Sequence, residues 1–137
     1  MPVIVEHLTQ PSTQDRLDLA KIYADAPAWL LPPHASAEAL IEAGLAAGQL
    51  IAGRFNDRLL GAAWLMQDAQ GWRLSHLCVR KLTRGRGVAT RLVAAARQQA
   101  ETAGMPLRLV VPPEQLDAQA WAVRLGLVLD RSAQAPA

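Results

Sequence analysis

Cys78-Val79-Arg80-Lys81-Leu82-Thr83-Arg84-Gly85-Arg86-Gly87-Val88-Ala89 is the stretch whose reading decides the fold. It joins an apolar run with the character of a strand to a long amphipathic run with the period of a helix. Two glycines sit between them among basic residues. Glycine lets a ligand approach the backbone and lets the chain turn with positive φ. A helix starting at about Gly87 leaves its first amides without intrahelical partners. Those donors, the positive end of the helix dipole and the flanking arginines make an anion site that suits a phosphate or pyrophosphate. It is not a nucleoside-triphosphate loop, because no Gly-Lys-Ser/Thr follows. It is not the dinucleotide fingerprint either, because Thr90 stands at the third glycine position.

Charge gathers around this loop. No Asp or Glu occurs between Ala69 and Ala100, whereas Arg73, Arg80, Lys81, Arg84, Arg86, Arg91 and Arg97 do. The local positive field would steer a polyanionic small molecule. Arg91 and Arg97 read more simply as a solvated helix face. A nucleic-acid partner is not expected, since no aromatic residues alternate with the basic ones.

Upstream, Val3–Leu8 reads as a strand, and Ser12 with Asp15 three residues on is a helix-capping signature. Leu17, Ala20, Ile22 and Tyr23 carry helical spacing to about Asp25. Pro27, Pro32 and Pro33 mark a rigid connector whose Trp29, Leu30 and Leu31 either pack on the domain or line a groove. A second helix runs from Ser36 or Ala37 to Gly48. Asn56-Asp57 between two strand-like runs predicts a tight antiparallel hairpin, and Gln70-Gly71 turns the chain into Trp72–Arg80. Downstream, Val88, Leu92, Ala96 and Ala100 recur at helical spacing and predict a helix packed on the sheet. Gly104 and Pro106 stop it. Leu107–Val111 reads as a buried strand reached by a right-handed parallel crossover. Glu114–Leu125 reads as a last helix, Leu127–Leu129 as a short strand and Ser132–Ala137 as a loose tail. The order is β-α-α-β-β-β-α-β-α-β. An α/β chain is expected, with a mixed, mostly antiparallel sheet and helices on both faces.

The 137 residues suit one domain, 1–137, and a hydrophobic share of 51% is enough to bury a core. Cys78 is the single cysteine, which excludes an internal disulfide and a cysteine-rich zinc site. His7, His34 and His76 lack metal-ligand spacing, so no metal is expected. No apolar run approaches about 18 residues and no signal-peptide pattern opens the chain. No membrane partner and a cytoplasmic location are the expectation.

The pattern Arg84-x-x-Gly87-x-Ala89 after a strand ending at Val79 resembles the pyrophosphate loop of the GCN5-related N-acetyltransferase (GNAT) superfamily, and the element order agrees. Within it, Gln14–Tyr23, Gly53–Ala62 and Val79–Val88 are similar to the PanZ (PanM) family. The resemblance is poor across Asp25–Ala47 and weak beyond Arg108. It implies acetyl-CoA or CoA as cofactor. The backbone amides from Arg86 to Thr90 would hold the pyrophosphate, with Gly85, Gly87, Val88 and Ala89 shaping the turn and Arg84 and Arg86 adding charge. The edge Leu77, Cys78, Val79 would pair with the pantetheine arm, and Gln115 stands where relatives often carry an Asn. The resemblance further implies a sensor that promotes maturation of the aspartate α-decarboxylase zymogen in β-alanine, pantothenate and CoA synthesis. Arg54 and Asn56 at the hairpin tip would contact that partner. Asn56 also reads as a residue the turn itself favours.

Whether acetyl is transferred stays open. The position where active relatives commonly place a tyrosine acid is Ala122, and Tyr23 lies on the first helix. His76 is the candidate base for the alternative, an N-acetyltransferase acting on an amine. Cys78 shares its strand face, and a cationic loop could lower its thiol pKa. Both residues also read as ordinary buried strand positions.

Overall fold

The computed structural model describes residues 2–130, so the expected tail at Ser132–Ala137 lies outside the described residues. The elements follow in the expected order: β1 (Ile4–His7), α1 (Thr13–Ala24), α2 (Ala37–Ala47), β2 (Leu50–Phe55), β3 (Arg58–Asp68), β4 (Gly71–Val79), α3 (Val88–Thr102), β5 (Leu107–Val110), α4 (Leu116–Arg124) and β6 (Val128–Asp130). Two 3-10 turns join them, Ala28–Leu30 and Lys81–Thr83. The first takes up part of the proline-rich connector.

Local chemistry explains the boundaries. Ser12 Oγ accepts from Asp15 N at 3.0 Å, while Ser12 N donates to the Asp15 carboxylate at 3.2 Å, closing a capping box at the start of α1. Ser36 caps α2 through Ala39 N at 3.1 Å. Asn56 and Asp57 adopt φ of 49° and 65°, which makes the β2–β3 hairpin a type I′ turn.

The strands form one sheet in the order β1-β2-β3-β4-β5-β6. The first four pair antiparallel, and β4, β5 and β6 run parallel. On one face, α1 and α2 bury Leu19, Ile22, Tyr23 and Leu40 against Leu50, Leu59 and Trp64. On the other, α3 buries Leu92, Val93 and Ala96 against Val3, Leu65 and Leu74. Gly61 of β3 lets α3 begin close to the sheet, because a Cβ there would lie 2.8 Å from Val88 Cγ1.

One irregularity was not expected. Trp64 faces Ser75 and Ala62 faces Cys78, so Ala63 alone opposes both His76 and Leu77. This is a β-bulge, and His76 sits in it at φ 52°, a backbone region that glycine occupies far more easily than histidine. Three contacts hold it there. The Tyr23 hydroxyl donates to the His76 carbonyl at 2.8 Å. His76 Nδ1 donates to the Leu30 carbonyl at 2.7 Å. The ring packs at 5.1 Å from Trp64 and 5.4 Å from His34, centroid to centroid. Beyond the bend β4 leaves β5: their pairing ends at Leu74 with Leu109.

The hairpin is clamped onto α1. Arg58 reaches the Asp18 carboxylate through Nε and Nη2, with its shortest contact at 2.6 Å, and Leu59 N donates to the same carboxylate at 3.1 Å. Burial pushes the Asp18 carboxyl up, but the Arg58, Leu59 and Gln14 hydrogen bonds outweigh it and hold the group below the ordinary 3.8. Asp15 is lowered as well, chiefly by the Arg54 guanidinium.

Two predictions arise here. Asp18→Ala leaves the buried Leu59 amide without its acceptor and should cost about 2–3 kcal/mol, measured by urea denaturation at pH 7; a loss below about 0.5 kcal/mol would contradict the clamp. The second concerns pH. Burial lowers the His76 pKa from 6.5 to about 4. The unfolded ring takes a proton near its ordinary value, and the folded ring does so only near the lowered one. Stability is therefore complete above pH 6.5 and is lost as pH falls toward 4, by about 3 kcal/mol. His34, also lowered by burial, adds to the slope. His76→Gln should remove most of the pH dependence in that window, and an unchanged slope would refute the assignment.

Candidate functional site

The departure of β4 from β5 opens a crevice of about 690 Å³. Leu77, Cys78 and Val79 line one side, and Leu109, Val110 and Val111 line the other. One end is closed by Thr83, Arg84, Gly85 and Gly87 with the first turn of α3, Val88, Ala89 and Thr90. Ala118 and Trp121 of α4 approach from the face that carries α3, while Trp29 and Leu30 approach from the face that carries α1.

The start of α3 differs from those of α1 and α2. Its cap is Gly87 at φ 83°, which brings no side-chain acceptor. The first bond back to the cap is Arg91 N to Gly87 O at 3.0 Å. The amides of Val88, Ala89 and Thr90 thus have no intrahelical acceptor, and these three residues line the crevice end. A Cβ built on Gly85 or Gly87 would meet nothing within 4 Å, so the space over the turn is open.

Arg84 braces this loop. Its Nε donates to the Val79 carbonyl at 3.1 Å and its Nη2 to the Asp25 carbonyl at 3.0 Å. The Asp25 carboxylate accepts Lys81 N at 2.8 Å. The C-terminal end of α1 therefore holds the loop as well as the bulge.

Of the residues expected to bind cofactor, Leu77, Cys78, Val79, Arg84, Gly85, Gly87, Val88, Ala89 and Thr90 all line the crevice. Arg86 is exposed beside it and is not among the lining residues. Gln115 is also outside the lining; it caps α4, with its N–H on the Pro112 carbonyl at 3.1 Å. Arg91 and Arg97 are not merely a solvated face. Arg91 donates to the Val3 carbonyl at 3.2 Å and Arg97 to the Leu125 carbonyl, which ties α3 to β1 and to the end of α4.

The candidate base lies elsewhere. His76 is 2% exposed and does not line the crevice, so an acceptor amine in the crevice would not meet it in this conformation. Cys78 does line it, and it packs on the α1 side of the sheet. Its thiol is not activated: burial pushes it up to about 11, and Arg84 only partly opposes this. Ala122, on the inner side of α4, is fully buried, and Tyr23 is buried with its hydroxyl on the His76 carbonyl.

At the hairpin tip Arg54 has no N–H to spare. Nε and Nη2 donate to the Glu6 carboxylate at 3.1 and 2.8 Å, Nη1 and Nη2 to Asp15 at 3.0 and 3.1 Å, and Nη1 also to the Asp57 carbonyl at 3.1 Å. Asn56 is exposed in the turn.

Sequence reasoning did not single out Leu109, Val110 and Val111 or the α4 residues Asp117, Ala118, Trp121 and Arg124 as lining the crevice. Their i, i+1, i+4 and i+7 spacing keeps these four within one side of α4, a signal the sequence does contain. Among the described residues no helix is long and apolar enough to cross a membrane, and no group of three or more His, Cys, Asp or Glu could hold a metal ion.

Solved structures with this fold are acetyltransferases in several cases. A ribosomal-protein-alanine N-acetyltransferase from Brucella melitensis biovar Abortus 2308 is 19% identical over 99% of each chain, with TM-score 0.70. The PaiA N-acetyltransferase from Thermoplasma acidophilum, solved with coenzyme A, is 14% identical over 91% of this chain and 89% of that one, with TM-score 0.68. AAC(6')-Iy, bound to the bisubstrate analogue CoA-S-monomethyl-acetylneamine, is 17% identical over 100% and 96%, with TM-score 0.67. At these identities the likeness establishes the fold. No curated protein matches the sequence. The family described as "Acetyltransferase (GNAT) domain, PanZ" matches residues 2–109. With its β4–β5 crevice and its glycine-capped α3, the chain belongs to the PanZ family of GNAT acetyltransferase domains.

Proposed function

We propose that this chain binds acetyl-CoA between β4 and β5 and uses it as a signal, acting as a PanZ-type regulator of aspartate α-decarboxylase maturation with little or no acetyl transfer. One observation carries the binding: the uncapped amides of α3 and the released edge of β4 meet in a single crevice. The residues fit the cofactor. Val88, Ala89 and Thr90 would offer amides to the pyrophosphate, the open glycine turn would admit it, and Leu77–Val79 would pair with the amides of the pantetheine arm. The CoA found with one relative of this fold supports the same reading.

Bound acetyl-CoA would supply an activated acyl group. The chain offers little to use it. Ala122 has no proton to give, Tyr23 is committed, the Cys78 thiol stays protonated at neutral pH and His76 is outside the crevice. Among the described residues that line the crevice, Asp117, exposed on α4, is the one carboxylate and the one base an amine could meet. Family membership supports the regulatory part. The hairpin tip would be the docking element. Asn56 would be its outward group, and Arg54 would fix its shape through Glu6 and Asp15.

Calorimetric titration with acetyl-CoA, with and without the decarboxylase zymogen, tests this. Equimolar binding is expected, with faster self-cleavage of the zymogen and no thiol release across an amine panel. Gly87→Val should weaken acetyl-CoA by about tenfold or more, because valine is strained at that φ; full affinity would contradict the placement. Amine-dependent thiol release that disappears in Asp117→Asn, with no effect on the zymogen, would replace the regulator by a transferase.

A further inference from the structure

The crevice passes through the sheet. Ala89 and Trp121 belong to the α3 side, whereas Trp29, Leu30 and Cys78 pack with the α1 side. The gap therefore runs from the α3 amides, along Val79 to Leu77, and meets the 3-10 turn Ala28–Leu30 on the far face. The depth of that turn is set by the bulge. His76 Nδ1 holds the Leu30 carbonyl at 2.7 Å, and the gap closes two residues earlier in β4, where Leu74 pairs with Leu109. Leu30 N closes the turn on the Pro27 carbonyl at 3.0 Å, and Leu30 is only 4% exposed, so the wall is packed.

We infer that Trp29 and Leu30 form the end wall of the acyl subsite and restrict the crevice to short acyl thioesters, with His76 positioning that wall through the Leu30 carbonyl. This rests on the acyl-CoA reading above. The α3 amides fix the phosphate end, and the β4 edge leads from there to the bulge. An acyl group carried along that edge arrives level with Leu30. The surfaces it meets, Trp29, Leu30 and Leu77, are apolar and suit a methyl group; a longer chain has to displace the indole or the packed leucine. The wall comes from the connector between α1 and α2.

The test is a set of calorimetric titrations with free CoA, acetyl-CoA and octanoyl-CoA on the native chain and on Trp29→Ala, with Trp29→Leu as a milder second variant. The readout is the ratio of acetyl-CoA to octanoyl-CoA affinity within each protein, so a general weakening cancels. The native chain should prefer acetyl-CoA by about tenfold or more, and the ratio should shrink severalfold in Trp29→Ala and less in Trp29→Leu. His76→Gln should also lower the ratio, and an unchanged ratio in it overturns the positioning role of His76. Equal native affinity for the two thioesters, or an unchanged ratio in both Trp29 variants, overturns the inference while leaving CoA binding intact. Failure of the native chain to bind free CoA and acetyl-CoA overturns the acyl-CoA reading and the inference together.

Discussion

A hydroxyl on a carbonyl keeps the sheet open. Tyr23, buried on α1, donates to the backbone oxygen of His76, the residue that β4 carries in excess of its partner strand. Without that bend β4 would stay in register with β5 past Leu74 and the gap would close. The bulge places a histidine at a positive φ, which costs free energy. The surroundings compensate with hydrogen bonds to both its oxygen and its ring, and with aromatic contacts from Trp64 and His34. The same residue that sequence reasoning offered as a general base is thus a fastening for the crevice.

Helix α1 links the parts. Its N-terminal half carries Asp15 and Asp18, which bind the two hairpin arginines. Its C-terminal half supplies Tyr23 to the bulge and the Ile22 carbonyl to Cys78 Sγ at 3.3 Å, and its cap Asp25 gives a carboxylate oxygen and its carbonyl to the glycine-rich loop. Both α1 and its neighbour α2 are capped by their own serines, Ser12 and Ser36. The helix that faces the crevice is not. Gly87 leaves its amides free for an outside acceptor, and Gly61 lets Val88 settle against β3 so that those amides lie at the crevice end.

Much of this was legible in the residues. Ser12 with Asp15, Gly48 and Asn56-Asp57 mark boundaries through chemistry within a few positions, and the structure places them there. The glycine-rich stretch before Val88 could be read as a strand-to-helix turn with unpartnered amides because its signals are local too. The bulge was not legible. Trp72–Arg80 has the composition of a plain strand, and what bends it is Tyr23 and Leu30, more than forty residues upstream. The fates of Arg54, Arg84, Arg91 and Arg97 were hidden for the same reason. An arginine's sequence position states its charge, but its partner carbonyl or carboxylate is known only once the chain has folded.

The central claim is that the first amides of α3 and the free edge of β4 form one anion-to-thioester site. Backbone amide chemical shifts followed by NMR during titration with acetyl-CoA address it residue by residue. The account predicts that the largest shifts fall on Val88, Ala89 and Thr90 together with Leu77–Val79. Shifts gathered instead on the hairpin tip or along Arg91 and Arg97, with those amides unmoved, would contradict it.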